Sequence, residues 1–186
     1  MHTPDLIDAR RSVLVLVDYQ ERLLPAIHDG EAAVAEAVRL ADAARLLRLP
    51  VLGTEQYPQG LGPNTPAIAQ RCDRVLAKQH FDACADGLLD LLPEGATTPH
   101  DVVIAGCESH VCLLQTAMGA LRAGHRCWVV EPACGSRSPR DHALAMQRLR
   151  QAGLDIVSAE MVIFEWLRGR AHPRFAQTLP LIKARP

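Results

Sequence analysis

The chain reads as an α/β protein on a parallel sheet, and two observations carry that reading. Six short apolar runs alternate with helix-like segments along all 186 residues. The first run, Val13-Leu14-Val15-Leu16-Val17, is apolar at every position. Strands covered on both faces carry such unbroken runs, because right-handed crossovers place helices on both sides of a parallel sheet. The expected architecture is three-layer α/β/α around a six-stranded parallel sheet. One domain is expected over residues 1–186, a length that supplies one full core and is short for two. No linker, internal repeat or low-complexity segment divides it.

Taken in order, the first strand spans 13–17 and stops at Asp18. After a loop with Pro25 and Gly30, Glu31 to Leu49 places Val34, Val38, Ala41, Leu46 and Leu49 near helical spacing, and Pro50 closes that helix. Val51-Leu52-Gly53-Thr54 is the second strand. Residues 55–66 hold Pro58, Gly60, Gly62 and Pro63, and read as a loop. Arg74-Val75-Leu76-Ala77 leads to Lys78 as the third strand, followed by a short helix from Gly87 to Leu92. Asp101–Gly106 is the fourth strand and Ser109–Ala123 a helix that Gly124 ends. His125–Val130 is the fifth strand and Pro132–Ser138 a loop. Pro139 suits the start of a helix running to about Gln151. Gly153 stops it, Leu154–Val157 is the sixth strand, and Met161–Leu167 a terminal helix. The tail, with Pro173, Pro180 and Pro186, is expected to be mostly irregular.

Composition excludes several partners. The formal net charge is -1 and no block of like charge appears, which argues against a nucleic-acid or anionic-membrane partner. No apolar run approaches the roughly 20 residues that span a bilayer. Asp5, Asp8, Arg10, Arg11 and Asp18 interrupt the opening, unlike a secretory leader. The six cysteines (72, 84, 107, 112, 127 and 134) form no C-x-x-C pair, and several lie in or beside apolar runs. Free thiols in a cytoplasmic setting are expected, with a small-molecule substrate as partner.

Chemistry concentrates at strand ends, where ligands of parallel α/β sheets bind. In Gly106-Cys107-Glu108-Ser109-His110-Val111-Cys112 a strand ends and a cysteine arrives where a helix begins. A helix N-terminus favours thiolate over thiol, which makes Cys112 the candidate nucleophile. Asp18 ends the first strand and Lys78 the third, so carboxylate, ammonium and thiol converge if the sheet forms. Taken singly, Asp18 is as well read as a turn cap, Lys78 as a solvated strand end, and Cys112 as a core residue. His110 lies two residues from Cys112, and such side chains do not face each other on a helix. Gln20, Tyr57, His80, Phe81 and Ser109 are the candidate substrate-lining residues, with core packing an equal alternative for Phe81.

These residues resemble the isochorismatase-like cysteine hydrolase family, nearest to its metal-free branch. The resemblance rests on Val17-Asp18-Tyr19-Gln20, Thr54-Glu55-Gln56-Tyr57-Pro58 with Gly60-Leu61-Gly62-Pro63, Lys78 with Phe81, and Gly106 to Cys112. Ser136-Arg137-Ser138-Pro139 and Glu160 to Glu165 extend it, so that it runs from about Val13 to about Leu167. It implies strand order 3-2-1-4-5-6 and an Asp18–Lys78–Cys112 catalytic triad. It also implies a non-proline cis peptide preceding Glu108, with the N–H groups of Glu108 and Cys112 as an oxyanion hole. Nicotinamidases of this family bind a metal through an aspartate and histidines after the second strand. Residues Thr54 to Pro66 contain neither, so no metal and no cofactor is expected. The activity implied is cysteine-dependent hydrolysis of a small amide through a thioester. The alternatives are vinyl-ether hydrolysis of isochorismate, or a non-enzymatic or redox-sensing protein in which Cys112 pairs with Cys107. The family and the apolar segment Met161-Val162-Ile163-Phe164 both suggest a homo-oligomer, dimer or tetramer.

Overall fold

The computed structural model of the protein describes residues 5–93 and 100–183. Six parallel strands lie in the order β3-β2-β1-β4-β5-β6, as the resemblance implied. They are β1 (Ser12–Val17), β2 (Val51–Gln56), β3 (Arg74–Lys78), β4 (Asp101–Gly106), β5 (Arg126–Val130) and β6 (Asp155–Val157). Every residue of β1 and β4 is buried. These are the two central strands, so their unbroken apolar runs face helices on both sides. Side chains such as Leu14, Leu16 and Ile104 are fully buried, each contributing about 1.5–3 kcal/mol of hydrophobic stabilisation. At one edge, β3 exposes Arg74, Val75 and Ala77.

The helices are α1 (Gly30–Leu46), α2 (Pro58–Leu61), α3 (Pro66–Ala69), α4 (Leu114–Arg122), α5 (Pro139–Gln151), α6 (Ala159–Leu167) and α7 (Phe175–Lys183). Helices α1, α6 and α7 pack together on one face of the sheet, and α4 with α5 on the other. The sequence is explicit about two of their starts. Ser138 accepts from the Asp141 N–H with Pro139 behind it, and Ser158 accepts from the Met161 N–H.

Four segments differ from the sequence-based expectation. The tail is not irregular over 175–183: α7 forms with Pro180 inside it, because Thr178 and Ile182 are buried against α1 and α6. Tertiary burial outweighs the hydrogen bond that Pro180 forgoes; Pro186 lies outside the described residues. Residues 87–92 form no α-helix. Two 3₁₀ turns, Ala83–Asp86 and Leu88–Leu91, meet instead at Gly87, whose φ of 92° breaks the helical path. Strand β2 continues two residues further than expected, to Gln56, and the loop after it holds the single-turn helices α2 and α3. Finally, the helix expected from Ser109 begins as a π-turn over Ser109–Leu113 and becomes α4 only at Leu114.

The strand order reverses between β1 and β4, and both end at this switch point, Val17 paired with Gly106. Gly106 makes the close approach possible. Its φ is +148°, and a Cβ there would lie 2.2 Å from the Val17 carbonyl oxygen, a backbone atom that cannot yield. The chain that follows Gly106 therefore runs tightly past Asp18.

Candidate active site

Asp18 leaves the end of β1 with a left-handed φ of 53°, its N–H bonded to the Thr54 carbonyl at 3.2 Å. Both Asp18 and Lys78 have fully buried side chains, and Lys78 Nζ lies 2.8 Å from Asp18 Oδ2. Thr54 Oγ1 donates to Asp18 Oδ1 at 2.6 Å. Oδ2 faces the ammonium as an ion pair without an aligned hydrogen bond, so it keeps a lone pair for a further proton. Lys78 Nζ also donates to Gln56 Oε1 at 2.6 Å and reaches the His80 carbonyl at 3.4 Å. An ammonium taken out of water needs this full set of acceptors.

Cys112 sits in the π-turn, 6 % exposed, its thiol donating to Gln56 Oε1 at 3.9 Å. The same amide oxygen thus touches both the thiol and Lys78. Sequence position alone suggested a thiolate favoured by a helix start. In the structure the Cys112 thiol is instead pushed up to about 12, first by burial and then by the Asp18 charge, with Lys78 pulling the other way. Burial similarly lifts Cys72 to about 11 and Cys84, Cys127 and Cys134 to about 12. Cys72 and Cys84 also lie near a carboxylate and a guanidinium; what separates Cys112 is that its pair, Asp18 and Lys78, is fully buried. A thiol so poised reacts only when a base removes its proton.

The backbone ahead of Cys112 is equally specific. The Cys107–Glu108 peptide bond is cis. The Glu108 carbonyl accepts from the N–H groups of Val111 and Leu113, at 3.0 and 3.2 Å, passing over Cys112 between them. The Glu108 carboxylate accepts from the Arg137 N–H at 2.9 Å and from Arg137 Nε at 3.1 Å, which ties the turn to the loop before α5.

The other candidates are distributed as follows. Gln20 is fully buried, and its side chain mimics a strand: Oε1 accepts from the Gln56 N–H at 2.8 Å, while Nε2 donates to the Gln56 and Gly62 carbonyls. Ser109 is fully buried, with Oγ 2.9 Å from His142 Nδ1. His80 turns its ring outward onto Asp86 Oδ1 at 2.8 Å. Tyr57 and Phe81 are half-exposed, and the Tyr57 ring packs so close to Gly60 that a side chain there would collide with it. His110 pairs with Ser136 Oγ at 3.0 Å, away from the Asp18–Lys78 pair. Sequence reasoning passed over Thr54, Gln56, Arg137 and His142. For the first two a signal existed: polar residues at spacing two ending an apolar strand share one face, here the face that meets Asp18 and Lys78.

His142 also reaches Glu131, Nε2 to Oε1 at 3.8 Å, and burial lowers its pKa below the usual value while Glu131 opposes. A histidine depressed in the folded state takes up a proton more readily when unfolded. Its stabilising contribution is therefore present above roughly pH 6.5 and lost as pH falls below it. The urea midpoint of the wild type is expected to fall more between pH 7.5 and 5.5 than that of His142→Gln; equal falls would refute the assignment.

Among the described residues, no group of three His, Cys, Asp or Glu side chains is placed to hold a metal ion, and no helix is long and apolar enough to cross a membrane.

A parallel sheet whose order reverses at the point where Asp18, Lys78 and Cys112 come together defines a doubly wound α/β protein. The Isochorismatase domain family matches residues 12–161, and the chain belongs to that hydrolase family. It is similar to the mouse (Mus musculus) Isochorismatase domain-containing protein 2A, 36% identical over 92% of this chain and 82% of that one. Among solved structures, the MAR1 ribonuclease of Caenorhabditis elegans is 31% identical with a TM-score of 0.88, over 98% of this chain and 95% of that one. YcaC of Escherichia coli, described as an octameric hydrolase of unknown specificity, shares the fold at a TM-score of 0.81. It is 22% identical over 91% of this chain and 85% of its own.

Proposed function

We propose that the protein is a cysteine-dependent hydrolase cleaving a C–N bond of a small amide. The observation that carries this reading is the Cys112 thiol, slightly exposed, beside the buried Asp18–Lys78 pair. Asp18 takes the Cys112 proton, and the sulfur attacks the amide carbon. The oxyanion is met by the N–H groups of Glu108 and Cys112, an arrangement whose loss typically costs about 2.7–4 kcal/mol. As the C–N bond breaks, Asp18 returns the proton to the leaving amine, and a thioester remains on Cys112. Asp18 then deprotonates a water, which attacks the thioester carbon; the C–S bond breaks and the sulfur recovers its proton from the carboxyl. Lys78 stays charged throughout and offsets the negative charge that moves between Asp18 and Cys112.

A small substrate is supported by exposure: Asp18 and Lys78 are fully buried and Cys112 is 6 % exposed, which suits a small molecule better than a polynucleotide strand. The ribonuclease name of the nematode relative is accordingly not carried over. Vinyl-ether hydrolysis gives a thiol nothing to do. No cofactor enters the proposed cycle. A cytoplasmic homo-oligomer is part of the same reading, supported by the half-exposed Met161 and Phe164 on α6 and by the octamer described for the E. coli protein.

Incubation with a panel of small primary amides is expected to release ammonia and, after rapid acid quench, to leave an acyl group on the Cys112 peptide. Pyruvate released from isochorismate, with no ammonia or acyl adduct from any amide, would overturn the proposal.

A further inference from the structure

The Gln56 carboxamide holds an unusual position. It pairs in register with Lys78 at the end of β2, and its one oxygen accepts from the Lys78 ammonium at 2.6 Å and from the Cys112 thiol at 3.9 Å. Its nitrogen is fixed by donation to the Gln79 carbonyl at 2.7 Å, which determines which end of the amide faces the site. Its backbone is clamped by the buried Gln20 side chain. Four elements thus converge to hold an acceptor between an ammonium and a sulfur.

We propose that Gln56 is a positioning residue that keeps Cys112 protonated in the resting protein by engaging both the thiol and the Lys78 N–H that would otherwise serve the sulfur. An acceptor oxygen beside S–H stabilises the thiol and repels the thiolate. Lys78 makes the opposite contribution, and that contribution is weakened while one of its donors points at Gln56. The groups facing the thiol are then three: Asp18 and Gln56 favour its proton, and Lys78 opposes it. The sulfur ionises when substrate displaces the amide oxygen, so that reactivity is coupled to occupancy and a buried thiol is spared adventitious electrophiles. This deepens the hydrolase reading above and rests on the same site, yet its test needs no substrate.

The test is the rate at which iodoacetamide alkylates Cys112 near pH 8, followed on its own peptide by mass spectrometry so that the other cysteines do not contribute. Two substitutions of nearly equal size push in opposite directions. Gln56→Met removes the acceptor and frees Lys78 for the sulfur; Gln56→Glu adds a negative charge beside it. For each tenfold gain in thiolate, nucleophilicity falls roughly threefold, leaving a net gain of roughly threefold. Gln56→Met is expected to react roughly threefold faster or more, and Gln56→Glu slower by a similar factor. Loosened packing would accelerate both, so a shift of both in the same direction, or of neither, would overturn the proposal. Should Gln56→Glu fail to fold, the pH dependence of alkylation, read on the Cys112 peptide alone in Gln56→Met and in wild type, decides. A midpoint at lower pH than wild type supports the proposal, and an unmoved midpoint overturns it. Alkylation is read without substrate, so its outcome stands whether or not an amide is hydrolysed, and the two readings fail separately.

Discussion

Replacing Cys112 by alanine is expected to cut amide turnover roughly a thousandfold or more while leaving the protein folded. The expectation follows because, among the described residues, the other hydroxyl and thiol beside Asp18, those of Thr54 and Cys107, are fully buried. Cys107, five residues earlier, is fully buried and its thiol is raised by burial, with Asp18 adding to the rise. Serine at position 112 is expected to be nearly as inactive as alanine: a hydroxyl is harder to ionise than a thiol, and the pocket already disfavours the anion through burial and the Asp18 charge. The cost to stability should stay near 1 kcal/mol, since one sulfur leaves and no buried polar group loses its only partner. Combining Cys112→Ala with Asp18→Asn gives a sharper measurement. If Asp18 serves chiefly to handle the proton of Cys112 and of the thioester water, the double variant should be no slower than the worse single one. kcat/KM for all three variants, beside far-ultraviolet circular dichroism, reads the result. Cys112→Ala turning over within tenfold of wild type would end the nucleophile assignment.

The sequence discloses the sheet far better than the site. Unbroken apolar runs mark β1 and β4 because a central strand has no solvent face to advertise, and Asp18 and Lys78 stand out as charges that end apolar runs. The left-handed φ of Asp18 and the π-turn at Ser109–Leu113 leave no comparable trace, being products of the close β1–β4 approach that Gly106 permits. The thiol shows the difference most directly. Chain position says that Cys112 begins a helix and should be acidic; three-dimensional burial says the reverse, because desolvation of a charge exceeds the help of a short turn. Helix α7 is hidden for a related reason. Pro180 is visible in the sequence, whereas the α1–α6 surface that compensates for it is assembled from residues more than a hundred positions apart.

Lys78→Met is expected to destabilise the protein by about 3–5 kcal/mol, more than loss of a side chain of that size would account for. The aliphatic stem is kept, so the cost is electrostatic. Asp18 would be left fully buried with the Thr54 hydroxyl on one oxygen and nothing cationic on the other. Gln56 Oε1 would keep only the long contact from the Cys112 thiol, and the His80 carbonyl would lose the ammonium at the same time. Removing the carboxylate instead leaves a buried ammonium that retains those two acceptors, so Asp18→Asn should cost less than Lys78→Met. The asymmetry separates a pair maintained for stability from one maintained for chemistry. If the pair exists for its charge arrangement, exchanging both partners for neutral residues should recover most of the stability while activity stays absent, since apolar replacements of a buried ion pair are often neutral or favourable. Urea unfolding of Lys78→Met, Asp18→Asn and the double variant Asp18→Asn with Lys78→Met closes the cycle. A double variant as unstable as the sum of the two single ones would mean that the charges do not interact through their 2.8 Å contact, and Lys78 could no longer be counted part of one functional unit with Asp18.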